Sequence, residues 1–349
     1  METIYLECKG TCEDEEKLVF AGEILKNGGL VAFPTETVYG LGGDALNRES
    51  SHKIYAAKGR PSDNPLIVHI ARWEDIYKIT REVPKEAELV ARAFWPGPLT
   101  MILYKNEKVP YETTGGLDTV AVRFPSHQVA RQLIELGGGF VAAPSANTSG
   151  RPSPTNARDV AEDMNGVIEA IIDGGEVGIG IESTILDMTV SPPQILRPGY
   201  ITREMLEEVL GQVDQDVTMF ETGTGQAPKA PGMKYRHYAP KGKLVIVKGD
   251  KQAVVDYVNR QSEEARRKGV KTGVIATRET ETLYHSDVVL SAGSRQDEDS
   301  IARHLYSCLR EFDRQEAKLL FSESFEAPGI GMAVMNRLLK AAGHQVVEV

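Results

Sequence analysis

The sequence predicts an α/β protein with a second, smaller domain that is a parallel, Rossmann- or flavodoxin-like α/β unit. Helices and strand-like apolar runs alternate irregularly through residues 1–211, whereas strands and helices alternate regularly over 243–349. Between them, residues 212–242 are rich in Gly, Pro, Lys and aromatic residues without periodicity, which is typical of a linker. The length of 349 residues also favours two domains.

The elements of residues 1–211 follow from apolar periodicity and from the residues that interrupt it. An acidic start, an apolar face and the stop Asn27-Gly28-Gly29 predict a helix over 14–28. Further helices are predicted at 48–58, 84–94, 127–137, 157–165 and 201–211, and strands at 29–35, 65–71, 95–104, 119–125, 140–144, 168–175, 182–189 and 194–199. This irregular order indicates a twisted, α+β-like sheet rather than a clean doubly wound fold.

The smaller domain is predicted from four strands that are separated by helical stretches. The strands are at 243–249, 271–277, 286–293 and 319–325, and the helices at 252–269, 301–318 and 331–343. Strand–helix alternation of this kind predicts a parallel sheet.

Bulk composition indicates a cytoplasmic protein. Hydrophobic content of 41% and charged content of 26% are ordinary for a globular protein. The apolar runs fall far short of the ~20 residues that span a bilayer, so no membrane association is expected. The first residues carry an acidic cluster instead of a basic and then apolar signal segment. Three cysteines, Cys8, Cys12 and Cys308, cannot form a disulfide framework.

The charge distribution argues against tight RNA binding. The formal net charge is −10, and residues 1–211 contain 20 basic and 31 acidic side chains. Because RNA affinity depends on neutralising many phosphates, we expect direct RNA binding to be weak or absent. Individual basic residues therefore matter by their placement. Lys58, Arg60, Arg123, Arg151 and Arg197 all lie in polar motifs rich in Gly and Pro.

Two polar segments are suited to an anion. APSANTSGRPSPT at 143–155 leaves a strand-like run and is full of hydrogen-bond donors. KGRPSDNP places Lys58 and Arg60 on a turn stiffened by proline, where an ammonium and a guanidinium can grip phosphates. Neither of the common phosphate-loop motifs is present, so a nucleotide would need another cradle. The alternative for KGRPSDNP is a solvated surface turn.

A third segment, PTETVYGLGGDA at 34–45, offers the hydroxyls of Thr35 and Thr37 at the end of a strand. Its glycines, Gly40, Gly42 and Gly43, would let the backbone approach a ligand closely. The alternative is a strand end that simply turns through glycines.

Seven motifs, in their order and spacing, resemble the YrdC-like domain of the threonylcarbamoyl-AMP synthase family. They are PTETVYGLG, KGRPSDNPLIVHI, WPGPLT, TVAVRFP, APSANTSGRPSPT, ESTI and LRPG. The segment MKYRHYAP and the α/β part after it resemble the two-domain version of these enzymes. The resemblance covers essentially the whole chain.

The resemblance implies an enzyme that converts L-threonine, bicarbonate and ATP into L-threonylcarbamoyladenylate, pyrophosphate and water. The product would pass to a tRNA threonylcarbamoyl-transferase, which forms threonylcarbamoyladenosine next to the anticodon. Catalysis is expected to come from positioning and charge stabilisation. Mg²⁺ is expected to enter with ATP, and no metal held by the protein is expected, because no carboxylate cluster demands one.

The resemblance also assigns site residues. Lys58, Arg60, Ser145 and Asn147 match the K-x-R and S-x-N tetrad of the family, which would hold the phosphates and the developing charge. ATP contacts are further implied for Asn64, Thr119, Ala143, Arg197 and Tyr235. Threonine contacts are implied for Thr35, His69, Arg123 and Ser183. Arg123 is the natural partner of the α-carboxylate, because a guanidinium binds a planar anion bidentately.

Ordinary structural roles stay open for several of these residues. His69 could be a hydrogen-bonded core residue, Arg123 a charge at a strand edge and Arg197 part of a surface turn. Ser183 and Thr184 could form cross-strand hydroxyl pairs. Glu36 and Glu182 receive no catalytic role, because nothing in the sequence brings them together.

The predicted linker and the overall function also have alternatives. The family precedent suggests that the segment containing Tyr235 is a lid over the pocket, and the alternative is a plain tether. For residues 243–349 the sequence indicates no chemistry. An RNA-binding module and a nucleotide hydrolase or sensor are the competing functions.

Overall fold

The computed structural model of the chain describes residues 2–216, 237–325 and 328–349. These residues form two compact units: 2–149, 153–178 and 182–216 make up the first, and 150–152, 179–181, 237–325 and 328–349 the second. Tyr235 lies outside the described residues, so its predicted ATP contact and the lid hypothesis stay predictions. Within the described ranges, no helix is both long enough and apolar enough to cross a membrane.

All the predicted helices and strands are present in the predicted order. The helices are α1 (Glu15–Lys26), α2 (Arg48–Lys58), α3 (Ile76–Ile79), α4 (Lys85–Phe94), α5 (Gln128–Leu136), α6 (Ala157–Met164), α7 (Arg203–Leu210), α8 (Lys251–Arg267), α9 (Glu298–Arg314) and α10 (Ile330–Ala342). The strands of the first unit are β1 (Ile4–Glu7), β2 (Val31–Phe33), β3 (Gly40–Asp44), β4 (Ile67–Ile70), β5 (Leu99–Tyr104), β6 (Thr119–Arg123), β7 (Phe140–Ala142), β8 (Ala170–Asp173), β9 (Thr184–Asp187), β10 (Gln194–Arg197) and β11 (Asp214–Gln215). Those of the second unit are β12 (Lys243–Lys248), β13 (Thr272–Ala276), β14 (Val288–Ser291), β15 (Leu319–Glu323) and β16 (Val346–Glu348). Of these elements, β1, β3, α3, β11 and β16 are additional ones that were not predicted from the sequence.

The strands of the first unit form one mixed sheet in the order β1-β8-β2-β3-β7-β4-β6-β5-β9-β10-β11. Parallel pairs such as β4–β6 lie beside antiparallel pairs such as β5–β6. This mixture confirms the predicted irregular α/β or α+β sheet. The last strand, β11, pairs with β10, so the sheet reaches into the segment predicted as linker. The domain boundaries proposed from the sequence stay a prediction.

Helix α2 has the bounds that the sequence predicts, because both of its ends are fixed locally. The Asn47 side chain accepts a hydrogen bond from the Glu49 N–H at 2.9 Å and caps the first turn. Gly59 follows the last turn with φ 59°, a left-handed conformation that favours glycine. The helix therefore stops at Lys58, and the chain turns away immediately after it.

The glycine-rich segment after Thr37 is a strand, β3, and not the ligand-approaching turn that the sequence suggests. A Cβ atom on Gly42 would lie 2.9 Å from both Phe33 Cε1 and Val141 Cγ1. On Gly43 it would lie 3.1 Å from side-chain atoms of Ile54 and Leu30. The space beside these glycines is thus filled by the protein itself. Their role is close packing within the sheet and against α2.

The second unit is a parallel sheet in the order β14-β13-β15-β12-β16, which confirms the predicted parallel α/β domain. Numbered from β12, this order is 3-2-4-1-5 and differs from the 2-1-3-4-5 order of flavodoxin. Apolar residues of the strands and of α8, such as Val245, Val274 and Val258, share one core.

Candidate active site

The end of α2 and the loop after β7 are joined by one side chain. Lys58 is buried, and its Nζ donates hydrogen bonds to the backbone carbonyls of Ser145 and, at 2.5 Å, of Asn147. The Ser145 hydroxyl donates to Asn147 Oδ1 at 2.5 Å, and the Ser149 N–H donates to the Lys58 carbonyl at 2.8 Å. Three residues of the predicted tetrad are therefore in direct contact.

The fourth member of the tetrad, Arg60, lies on the turn after α2. Its Nη2 donates to the carbonyl oxygens of Asn64 at 3.3 Å and Pro65 at 3.0 Å, which folds the side chain back on its own turn. Asn64 is buried, and its Oδ1 has no hydrogen-bond partner among the described residues. A buried amide oxygen without a hydrogen-bond partner costs free energy. A ligand that donates a hydrogen bond to Asn64 Oδ1 would remove this cost.

Two further predicted ATP contacts border this cluster. The Ala143 N–H donates to the Ile67 carbonyl at 2.9 Å, which fixes the start of the Ser145 loop beside β4. Thr119 begins β6 and is partly exposed. Because β4 and β6 are parallel neighbours, Thr119 lies at the same end of the sheet as Asn64.

Two of the predicted threonine contacts, His69 and Arg123, share one face of the sheet. His69 of β4 and Arg123 of β6 are register partners, and Thr100 of β5 is the partner of Arg123 on its other side. Side chains alternate across a strand, so these residues face the same way as the small apolar cluster below them. That cluster consists of Ile67, Ile102, Ala121, Ile185 and Leu196 and is separate from the main core. The arrangement is an apolar floor edged by polar and cationic groups.

His69 is a neutral group in this structure. It is buried, its ring meets Phe33 edge to face, and Nδ1 lies 3.1 Å from the Ile67 carbonyl oxygen. Burial and then the positive charge of Arg123 lower the pKa of His69 to about 3. The residue therefore offers hydrogen bonding to a ligand, and not charge.

Ser183 links Arg197 to the same face. The Ser183 hydroxyl lies 2.8 Å from Thr100 Oγ1, and Arg197 donates to the Ser183 carbonyl at 3.1 Å from Nε and 3.0 Å from Nη2. Both Ser183 and Arg197 are buried. The described hydrogen bonds thus connect Arg197 with the predicted threonine contacts, although the resemblance assigned it to ATP.

Arg123 has a partner that sequence reasoning missed. Its Nη2 donates to Glu36 Oε1 at 2.6 Å, and the exposed fractions of the two side chains are 5% for Arg123 and 13% for Glu36. The adjacent Thr35 hydroxyl is occupied within its own turn, donating to the Val38 carbonyl at 2.7 Å. Glu182 accepts from Ser153 at 2.6 Å, so the two glutamates have different partners. The one feature of the sequence that could have pointed to Glu36 is its position between Thr35 and Thr37, just after a strand.

The assembled groups are suited to two anions of different kinds. Lys58, Arg60 and the loop of Ser145 and Asn147 provide charge and donors for phosphates, whereas Arg123 provides a buried guanidinium for a carboxylate. In the described part of the chain, no three His, Cys, Asp or Glu side chains cluster closely enough to hold a metal ion.

Comparison with protein families gives two matches that together span most of the chain. The first family model, Sua5_yciO_yrdC, is described as "Telomere recombination" and matches residues 23–199. The second is described as "Threonylcarbamoyl-AMP synthase, C-terminal domain" and matches residues 201–343.

Curated relatives and a solved structure agree with these matches. Threonylcarbamoyl-AMP synthase of Pyrococcus abyssi is 48% identical over 96% of this chain and 97% of the relative. The Bacillus subtilis protein of the same name is 44% identical over 96% and 95%. The crystal structure of P. abyssi Sua5 complexed with L-threonine is 46% identical, with a TM-score of 0.94 and coverage of 100% of both chains. The chain belongs to the threonylcarbamoyl-AMP synthase family.

Proposed function

We propose that the protein makes L-threonylcarbamoyladenylate from L-threonine, bicarbonate and ATP, releasing pyrophosphate and water. The observation that carries the proposal is the direct contact of Lys58 with Ser145 and Asn147 in a chain of this family. The homologous Sua5 structure with L-threonine, which aligns over the whole chain, supports threonine as the amino-acid substrate.

On the nucleotide side, the tetrad would bind the phosphates of ATP. The carbamate of threonine attacks the α-phosphorus through a carboxylate oxygen, a new P–O bond forms, and the bond to pyrophosphate breaks. Negative charge grows on the leaving group, so an ammonium and a guanidinium near it lower the barrier. Asn64, Thr119 and Ala143 border this group and would contact the nucleotide.

On the amino-acid side, Arg123 would bind the α-carboxylate of threonine. Neutral His69, the Ser183 hydroxyl and Thr35 would hydrogen-bond the polar atoms of the substrate. The floor around Ala121 and Ile185 would contact its methyl group. Arg197, which donates a hydrogen bond to the Ser183 carbonyl, would hold Ser183 in position and extend toward ATP.

Mg²⁺ would enter as part of the ATP complex. The residues proposed around the nucleotide are cations, amides and hydroxyls, which suit phosphate oxygens better than a metal ion. The nucleotide phosphates would therefore supply the ligands of Mg²⁺, and the ion would neutralise charge on the departing pyrophosphate.

The proposed place of the reaction is the cytoplasm, upstream of a transferase that moves the threonylcarbamoyl group to tRNA. Net acidity of residues 1–211 supports transfer of a small-molecule product over tight binding of tRNA by this chain.

One assay tests the proposal. The protein is incubated with ATP and Mg²⁺, and threonine and bicarbonate are added singly and together while pyrophosphate is measured. Pyrophosphate release that needs both additions supports the synthase. Release of phosphate that is indifferent to threonine would instead indicate a hydrolase. Salt-sensitive retention of tRNA without turnover would indicate an RNA-binding protein.

A further inference from the structure

The ion pair of Glu36 and Arg123 leaves both sides with spare hydrogen-bonding capacity. Glu36 accepts from Arg123 Nη2 at 2.6 Å and from the Ser126 N–H at 3.3 Å, and an ionised carboxylate has about four acceptor positions. Arg123 Nε is buried and has no hydrogen-bond partner among the described residues. A guanidinium N–H in this state costs free energy until something accepts from it.

A second buried polar atom near this ion pair, Nδ1 of His127, also lacks a hydrogen-bond partner among the described residues. His127 lies close enough to Glu36 that the carboxylate raises its pKa, although burial lowers that pKa overall. Two unsatisfied buried polar atoms near Glu36 indicate a place for a polar ligand and not only a structural ion pair.

Charge decides what kind of ligand fits. Arg123 is positive, Glu36 is negative, and His69 on the neighbouring strand is neutral because burial holds its pKa near 3. A ligand whose only charged group is a carboxylate would be attracted by Arg123 but repelled by the negative charge of Glu36. An α-amino acid brings a carboxylate and an ammonium group on the same carbon, so it satisfies both protein charges at once.

We infer that Glu36 is the residue that makes this site select an α-amino acid over an acid without an amino group. It holds the guanidinium of Arg123 in place for the substrate carboxylate and accepts a hydrogen bond from the substrate ammonium. This inference rests on the proposed function, because it takes the amino acid as the ligand of Arg123. It adds a positioning and specificity role for a residue outside the tetrad.

The test couples a change in the protein to a change in the ligand. Binding of L-threonine and of 2,3-dihydroxybutanoate, in which a hydroxyl replaces the ammonium, is measured by calorimetry for the wild type and for Glu36→Gln. The preference of the wild type for threonine should fall by about tenfold or more in the variant, since hydrogen bonds to charged groups are strong. KM for threonine should rise, while KM for ATP should change little.

A matched control removes another carboxylate that pairs with an arginine. Glu135 pairs with Arg72 on the surface, and Glu135→Gln should leave both affinities unchanged. An equal weakening of both ligands in Glu36→Gln would overturn the inference, because a merely structural ion pair acts on both. A wild type that binds no threonine would overturn the proposed function itself, and with it this inference.

If Glu36→Gln does not fold, Glu36→Asp provides the measurement. This substitution keeps the negative charge but moves it back by one methylene, so threonine should bind more weakly, whereas the binding of 2,3-dihydroxybutanoate should change less. Threonine affinity equal to that of the wild type, or a parallel loss for both ligands, would contradict the role given to Glu36.

Discussion

The Nζ atom of Lys58 lies 2.5 Å from the carbonyl oxygen of Asn147, although 89 residues separate them in the chain. A buried ammonium that binds two backbone carbonyls shapes the loop while its charge remains beside that loop. Lys58 thus fixes the geometry of the proposed phosphate site and contributes to its electrostatics.

Replacing Lys58 with alanine should lower threonine-dependent pyrophosphate release by about 100-fold or more, because a charge that stabilises the transition state is lost. The protein should stay folded, as judged by circular dichroism. Lys53 offers a matched control on the same helix, since its Nζ also donates to a backbone carbonyl, that of Gly28 at 2.6 Å. Lys53→Ala should keep normal turnover. Wild-type turnover in Lys58→Ala would refute the tetrad.

Replacing Ser145 with alanine removes the hydroxyl that donates to Asn147 Oδ1 at 2.5 Å. We expect a loss of activity of about 10- to 100-fold with a small change in melting temperature, because Ser145 is partly exposed. Pyrophosphate release measures the loss of activity, and a thermal melt measures the change in melting temperature. Ser149→Ala in the same loop is the control, since the Ser149 N–H makes its contact to Lys58 through the backbone. Equal losses in both variants would count against a specific role for Ser145.

His69 should make stability depend on pH. Its pKa is about 3 in the folded protein against 6.5 ordinarily, so between these values the unfolded chain binds the extra proton. The stability that neutral His69 provides is present above pH 6.5 and is lost as the pH falls toward 3. Its share of the loss between pH 6.5 and 5 should be about 2 kcal/mol.

Urea titrations at these two pH values measure the effect for the wild type and His69→Asn. The asparagine variant should lose less stability on acidification, whereas His52→Asn, on the exposed side of α2, should behave like the wild type. An unchanged pH dependence in His69→Asn would show that His69 is not the group that is kept neutral by folding.

Gly42→Ala should destabilise the first unit by about 1–3 kcal/mol, because the new methyl group would lie 2.9 Å from Phe33 and Val141. Gly40→Ala is the graded comparison, since the nearest atoms there are 3.3 Å away, and it should cost less. The denaturant midpoints of the two variants show whether Gly42→Ala is the more destabilising substitution. A Gly42→Ala protein as stable as the wild type would mean that the sheet has room at this position.

The elements that the sequence predicts well are those whose ends are fixed by nearby residues. Helix α2 was predicted at its observed bounds because Asn47 and Gly59 act within one turn of its ends. The resemblance to the family likewise depends on short motifs that can be read directly. Strand β3 was missed because glycines have low strand propensity, and only its neighbours in the sheet make it a strand.

The sequence by itself determined the two-part α/β organisation, the family, and which polar segments are chemically special. Only the tertiary structure decided which of these side chains meet. The hydrogen bond from Lys58 to Asn147, the shared face of His69 and Arg123, and the ion pair of Arg123 with Glu36 all join segments far apart in sequence. Propensity and periodicity act over a few residues, whereas strand register and sheet order set contacts between distant ones.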